Sequence, residues 1–244
     1  ILSSGIDLKG LHILDNFTTV NGAPGVAFID KIKRNTSAGN PFKKSKKYFL
    51  KALPSVDEWQ HPVKVDDVIM SRVDAIIDKY HMSTRARPNF CAHLKDEPVS
   101  FSKIQKKKTR VFTGAPLDFS IVVRKYLLTA VRLIQKNRTI FEAAPGTVAQ
   151  SLEWAGLGEY IFKYGTDRVI AGDYKSYDKT MPPAFIMAAF KVLRTLCEKS
   201  GNYTEQDLRV IDGITLDTAF PLIEFNGDLI QFFGSNPSGH PLTV

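Results

Sequence analysis

The chain has 244 residues, 43% of them hydrophobic and 24% charged, with a formal charge of +8 and a pI near 9.4. Such a length can bury a sizeable core as one large or two modest domains, and no apolar run approaches the roughly 20 residues that span a bilayer. The positive excess favours an anionic partner, nucleic acid first and a membrane surface second.

Two cysteines, Cys91 and Cys197, cannot build a disulfide framework, nor a zinc cage with the five scattered histidines, and read as reduced thiols of a cytosolic protein. The first 30 residues are mixed and without period. They open on Ile1 rather than Met, as in a processed product or a fragment. Residues 31 to 51 then carry eight Lys or Arg and no acid. Inside that run lies the turn cluster Asn35-Thr-Ser-Ala-Gly-Asn-Pro41. Its small residues, with Gly39 and Pro41, let a backbone approach a ligand closely. The flanking lysines suit a phosphate chain and equally suit a solvated basic loop.

Val65 to Tyr80 carries apolar residues at 65, 68, 69, 73, 76, 77 and 80, the stripe of an amphipathic helix. Lys95-Asp-Glu-Pro98, Lys103 and Lys106-Lys-Lys-Thr-Arg-Val-Phe112 follow, with five basic residues and no acid between 103 and 110. Alternation from Thr109 to Thr113 predicts a strand that presents Lys108 and Arg110. Asp118 or Ser120 can cap a helix running to about Asn137. A further helix is predicted over Val148 to Lys163, weakened by Gly156 and Gly158.

The stretch from Asp167 to Pro182 holds a short apolar run, Val169-Ile-Ala171, that suits a buried strand. Asp173 and Asp178 follow, five positions apart, and converge only if the chain turns between them. Two carboxylates on either side of a tight turn can hold a divalent cation beside a polar ligand. They can also be solvated aspartates at a strand end, and the spacing alone does not decide. Pro182 and Pro183 open a helix with an apolar face at 185, 186, 189, 190, 193, 196 and 197, and Gly201 closes it. Thr204, Glu205 and Asp207 start a shorter helix to Asp212. Asn226-Gly227 between two β-rich runs predicts a hairpin. Gly234 to Thr243 is a flexible loop crowded with hydroxyls. The order is mixed α+β, without the alternation of a doubly wound sheet.

Taken in order, four stretches resemble motifs of the RNA-dependent RNA polymerases of picornavirus-like positive-strand RNA viruses. Thr36-Ser-Ala-Gly-Asn-Pro41 is similar to the template-entrance motif G, and Lys95-Asp-Glu97 through Lys103, Lys108 and Arg110 to motif F. Asp173-Tyr-Lys-Ser-Tyr-Asp178 is similar to motif A, and Ser238-Gly-His-Pro-Leu-Thr243 to motif B. The resemblance implies an α+β right-hand polymerase fold. Residues 1–160 would form fingers and 161–244 the first part of the palm, with an inserted fingers helix–hairpin segment at 181–234. The family's Gly-Asp-Asp motif C does not occur here, since neither Gly172-Asp173 nor Gly227-Asp228 is followed by Asp. The chain is therefore expected to be an N-terminal part, lacking motif C and thumb and inactive alone.

By the same resemblance Asp173 is a ligand of Mg²⁺ (or Mn²⁺). Asp178, with Ser238, Gly239 and Thr243, lies at the ribose of the incoming nucleotide. Lys95, Lys103, Lys108 and Arg110 bind the triphosphate, with Arg110 and Asp178 also assigned to catalysis. Thr36, Ser37, Gly39 and Pro41 meet the RNA template. The implied partners are template and primer RNA, ribonucleoside triphosphates and other viral replication proteins, in the host cytoplasm at virus-induced membrane replication complexes. A reverse transcriptase would need a steric residue where Asp178 stands and lacks the Ser-Gly-x-x-x-Thr loop. Asp178-Lys-Thr180 matches the phosphorylated motif of ion pumps only until Met181 replaces its Gly. A non-catalytic RNA-binding module would use the basic stretches alone. His93 and His240 are given no role.

Overall fold

A computed structural model describes residues 5–242 of the chain. Asp15 caps the first helix, α1 (Asn16–Asn21), by accepting from the Thr18 N–H, and Gly22 at φ +72° turns the chain out of it. A small antiparallel pair follows, β1 (Leu50–Ala52) with β2 (Val63–Val65). The buried Asn21 amide donates to the Val63 carbonyl at 2.9 Å and accepts from its N–H at 2.8 Å, which ties α1 to β2. Next come α2 (Asp67–His81), β3 (Asn89–Leu94), α3 (Phe101–Gln105), β4 (Val111–Gly114) and α4 (Leu117–Lys136). The remaining elements are α5 (Arg138–Phe141), α6 (Leu152–Ile161), α7 (Tyr177–Thr180), α8 (Pro183–Ser200), α9 (Glu205–Ala219), β5 (Leu222–Phe225) and β6 (Asp228–Gln231).

Four strands make one sheet in the order β4-β3-β5-β6. β3 pairs antiparallel with β4 and parallel with β5, which arrives more than a hundred residues later. The β5–β6 hairpin closes on Asn226-Gly227, both at positive φ (54° and 95°), as that dipeptide's turn requires. Among the helices, α2 packs on α4 and α9, and α8 packs on α4 and α9. Their shared core includes Ile69, Val73, Tyr80, Phe90, Phe119, Leu127, Leu196 and Ile211. Each large apolar side chain buried there contributes about 1.5–3 kcal/mol.

The amphipathic patterns give α2, α4 and α8 close to their expected limits. α4 starts ahead of its expected caps: Asp118 lies inside the first turn, 2% exposed, and accepts from Arg72 Nε at 2.6 Å and the Phe119 N–H at 2.7 Å. On α8 the buried face is narrower than the stripe, with Phe185 and Ala189 exposed. α9 runs past Asp212 to Ala219. A Cβ on its Gly213 would lie 2.1 Å from the buried Tyr80 ring, so glycine allows α2 and α9 to meet. Val169–Ala171 is not a strand, and Ile170 is 98% exposed. A three-residue apolar run becomes a strand only when a neighbour takes its backbone groups, and among the described residues none pairs with it.

Candidate functional site

The loop from Thr36 to Pro41 is folded onto its own basic flank. Ala38 N–H donates to the Lys44 carbonyl and Lys43 N–H to the Gly39 carbonyl, both at 2.7 Å, and Lys46 Nζ reaches Thr36 Oγ1 at 2.9 Å. Leu117 N–H donates to the Ala38 carbonyl at 2.8 Å, which pins the loop to the start of α4. Gly39 has φ +70°, and a Cβ there would lie 2.9 Å from Pro116 Cα, so the close approach requires glycine. Ala38, Gly39 and Asn40 are buried, while Thr36, Ser37 and Pro41 face solvent. Burial, then the charges of Arg124 and Lys33, hold the Lys46 ammonium below its ordinary pKa. An anion laid along this run relieves that repulsion.

The second basic stretch is a turn more than a strand. β4 begins at Val111, opposite Leu94, so Lys108 and Arg110 precede it instead of alternating within it. One further bond, Lys95 N–H to the Arg110 carbonyl at 2.8 Å, extends the ladder. Glu97 draws the two cations together, 3.3 Å from Lys95 Nζ and 3.4 Å from Arg110 Nη1. Lys108 N–H donates to the Lys103 carbonyl at 2.8 Å and closes the turn after α3. The side chains of Lys103, Lys106, Lys107 and Lys108 are exposed and make no ion pair among the described residues. A cluster of this charge, with one shared carboxylate, is suited to phosphates.

Between Asp173 and Asp178 the chain does turn, through Ser176 at φ +55°, into the single turn of α7. The rings of Tyr174 and Tyr177 stack across that turn at 5.0 Å. Both carboxylates are exposed. The backbone there is joined to the hydroxyl-rich loop: the Asp178 carbonyl accepts from Asn236 N–H at 2.6 Å and from Ser235 Oγ at 3.0 Å. The Met181 carbonyl accepts from Ser235 N–H at 2.9 Å.

Further along the same loop, Ser238 Oγ accepts from Thr113 N–H at 3.1 Å, and Gly239 bridges to Gly114 of β4. A Cβ on Gly239 would lie 2.2 Å from the Thr113 carbonyl oxygen. His240 is 4% exposed and packed, and Thr243 lies outside the described residues. The loop thus stitches the Asp178 turn to the strand that follows Arg110. Its contacts run from Asp178 to residues 235 and 236, and from Ser238 and Gly239 to Thr113 and Gly114, three residues and more beyond Arg110. Asn40 of the Thr36–Pro41 loop is held separately, by Glu224.

Glu224 was not legible as a site residue. Its Oε2 lies 2.8 Å from Lys43 Nζ, 3.1 Å from Cys91 Sγ and 3.4 Å from Asn40 Nδ2, and its Oε1 accepts from Gly227 N–H at 3.1 Å. Lys43 first, then Cys91 and the Gly227 N–H, pull its carboxyl down to about 2. Burial, then Glu224, pushes the Cys91 thiol up to about 11, so it stays protonated and donates.

The family model described as viral RNA-dependent RNA polymerase matches residues 10–244. The chain belongs to that family. It is 26% identical over 231 residues to the replicase polyprotein of cricket paralysis virus, covering 89% of this chain and 13% of that polyprotein. The replicase polyprotein of acute bee paralysis virus is 26% identical over 252 residues, covering 100% of this chain and 13% of its own length. The solved Sicinivirus 3Dpol RNA dependent RNA polymerase superposes with a TM-score of 0.74 at 17% identity, over 96% of this chain and 47% of that one. The mixed α+β architecture of this polymerase-family chain is therefore that of a right-hand fold, present in part.

Proposed function

We propose that this chain forms the fingers and first part of the palm of a picorna-like virus RNA-dependent RNA polymerase, which transfers ribonucleotides to an RNA 3′-hydroxyl on an RNA template. The observation that carries it is the loop of residues 235–239, bonded at once to the Asp178 turn and to β4 beyond Arg110. In this reading residues 1–160 are fingers and 161–244 partial palm. The segment 181–234 returns to the fingers, which agrees with β5 pairing beside β3 and α8 packing on α4.

The roles then follow from chemistry. Thr36, Ser37, Gly39 and Pro41 guide the template strand. Lys95, Lys103, Lys108 and Arg110 neutralise the triphosphate, the planar fork of Arg110 gripping two phosphate oxygens. Asp178 accepts from the ribose 2′-hydroxyl in a network with Ser238, Gly239 and Thr243, so a deoxyribose leaves that acceptor without its donor. Asp173 offers one hard oxygen to Mg²⁺ or Mn²⁺. Among the described residues no group of three or more His, Cys, Asp or Glu is placed to hold a metal. When bound, paired ions steady the attacking and leaving oxygens. RNA, ribonucleoside triphosphates and other viral replication proteins are the proposed partners, at virus-induced membranes in the host cytoplasm. No helix among the described residues is long and apolar enough to cross a membrane.

The test has two arms. In a polymerase carrying this chain, Asp173→Asn keeps the shape and removes the charge that holds the metal, and should abolish primer extension while RNA binding persists. The 244-residue chain itself should bind single-stranded RNA with log affinity falling by roughly 0.7 per neutralised phosphate per decade of salt. Lys106, Lys107 and Lys108 changed together to Ala should flatten that slope. Extension by the Asn variant would remove Asp173 from the metal site. Salt-independent or absent RNA binding would undo the fingers assignment.

A further inference from the structure

Glu224 belongs to none of the four stretches, yet its carboxylate takes donors from three separate places. Asn40 and Lys43 come from the basic loop, Cys91 from β3, and the Gly227 N–H from its own hairpin. Its side chain is 16% exposed, against 54% for Lys43. The Ala38–Gly39 end of the loop is held by the start of α4. The Asn40–Lys43 end is held by Glu224 and by Phe42, whose ring packs on Phe49 at 4.6 Å. From Glu224 the chain runs through β6 directly into the loop that carries Ser238. A carboxylate is the side chain this arrangement demands, because two oxygens with four lone-pair sites accept all four donors. A glutamine offers one acceptor oxygen, and its NH₂ would confront an ammonium, a thiol or an N–H.

We propose that Glu224 is a positioning residue: it clamps the template-entrance loop to the β3–β5 sheet and so sets that loop in register with the Ser238 loop. The clamp stands on geometry alone, whereas its bearing on the template rests on the function proposed above.

Amide hydrogen exchange tests the clamp on the 244-residue chain. Glu224→Gln and Lys43→Met should each speed exchange of residues 36–46 by roughly tenfold, as loss of a charge-assisted hydrogen bond predicts. Amides of α4 and α8 should keep their rates, and Lys43→Arg should keep the loop protected. Unchanged loop exchange, or an equal rise throughout α4 and α8, would overturn the clamp. The link to the template is tested by anisotropy of a labelled single-stranded RNA. Glu224→Gln removes a negative charge, so electrostatics alone predicts equal or tighter binding. A positioning role predicts weaker binding, and equal or tighter binding would overturn that role. If the unaltered chain binds no RNA, the proposed function fails while the exchange data still judge the clamp.

Discussion

His240 should make this chain acid-labile, and the size of the effect follows from its surroundings. The ring lies against Phe119 and Phe190, with centroids at 5.7 and 6.3 Å. Nδ1 accepts from Leu242 N–H at 3.2 Å, which leaves the proton on Nε2, 3.0 Å from Thr218 Oγ1. Thr218 in turn donates to the Ile214 carbonyl. The neutral ring is satisfied, and burial pulls its pKa down to about 3. In the unfolded chain an imidazole titrates near 6.5. As pH falls through that value, the unfolded state gains a proton that the folded state refuses. Stability is therefore flat above about pH 6.5 and lost progressively below it, until the folded ring also protonates. From pH 7 to pH 5 the loss from this one ring is about 2 kcal/mol, or roughly 4–8 °C in melting temperature for a chain of this size. The assay compares thermal or urea unfolding of the parent and His240→Gln at pH 7, 6 and 5. Other titrating groups cancel in the difference. The gap between the two proteins should shift by about 2 kcal/mol toward the variant at pH 5. A gap that is the same at pH 7 and pH 5 would refute the buried neutral ring.

Asp217→Asn should cost about 3–5 kcal/mol in equilibrium unfolding, because it strips a buried counter-charge from Arg85. Asp217 is fully enclosed and accepts from Arg85 Nε at 2.7 Å, Tyr80 Oη at 2.8 Å and Arg87 N–H at 2.9 Å; a loss below about 1 kcal/mol, the scale of an exposed pair, would show the pair to be wet. Gly213→Ala should lower stability by about 1–3 kcal/mol through overpacking against Tyr80, although alanine is the better helix former. An unchanged or raised melting temperature would mean that α2 and α9 part without strain. Asp178→Asn in a polymerase carrying this chain should slow extension and erode a ribose preference that such a site can raise to about 10⁴-fold. Equal discrimination by variant and parent, measured with paired ribo and deoxy triphosphates, would remove Asp178 from the 2′-hydroxyl.

The parts of the fold legible in the sequence are those whose cause is local. α2, α4 and α8 follow from apolar spacing, the end of α8 from Gly201 at φ +74°, and the β5–β6 turn from Asn226-Gly227. A turn between Asp173 and Asp178 is the condition for their convergence, and the backbone turns there at Ser176. β3 was not legible, because Asn89-Phe-Cys-Ala-His-Leu94 has no alternation of its own. It is a strand only because β4 and β5 flank it, and β5 comes from the far end of the chain. Val169–Ala171 is the converse case, β-rich by composition but unpaired among the described residues.

The same distinction separates the candidate site residues that motif spacing points to from those it hides. Lys95, Arg110, Asp173 and Ser238 stand in short runs whose residue types suit phosphate, metal or hydroxyl chemistry, so the runs themselves are the signal. Glu224 is one acid in a β-rich run, and Asp217 one acid on a helix. Each draws its meaning from cations and N–H groups more than a hundred residues away. A single sequence carries no trace of such a partner, since the charge that would explain a buried acid lies on another element. The place to look is instead an acid that helical phase turns inward, as Asp217 lies one turn beyond Gly213; Glu224 stands on the face of β5 opposite the buried Ile223, so alternation does not mark it. An inward acid is costly unless it is paired, so its position predicts a cation even where the sequence cannot name it.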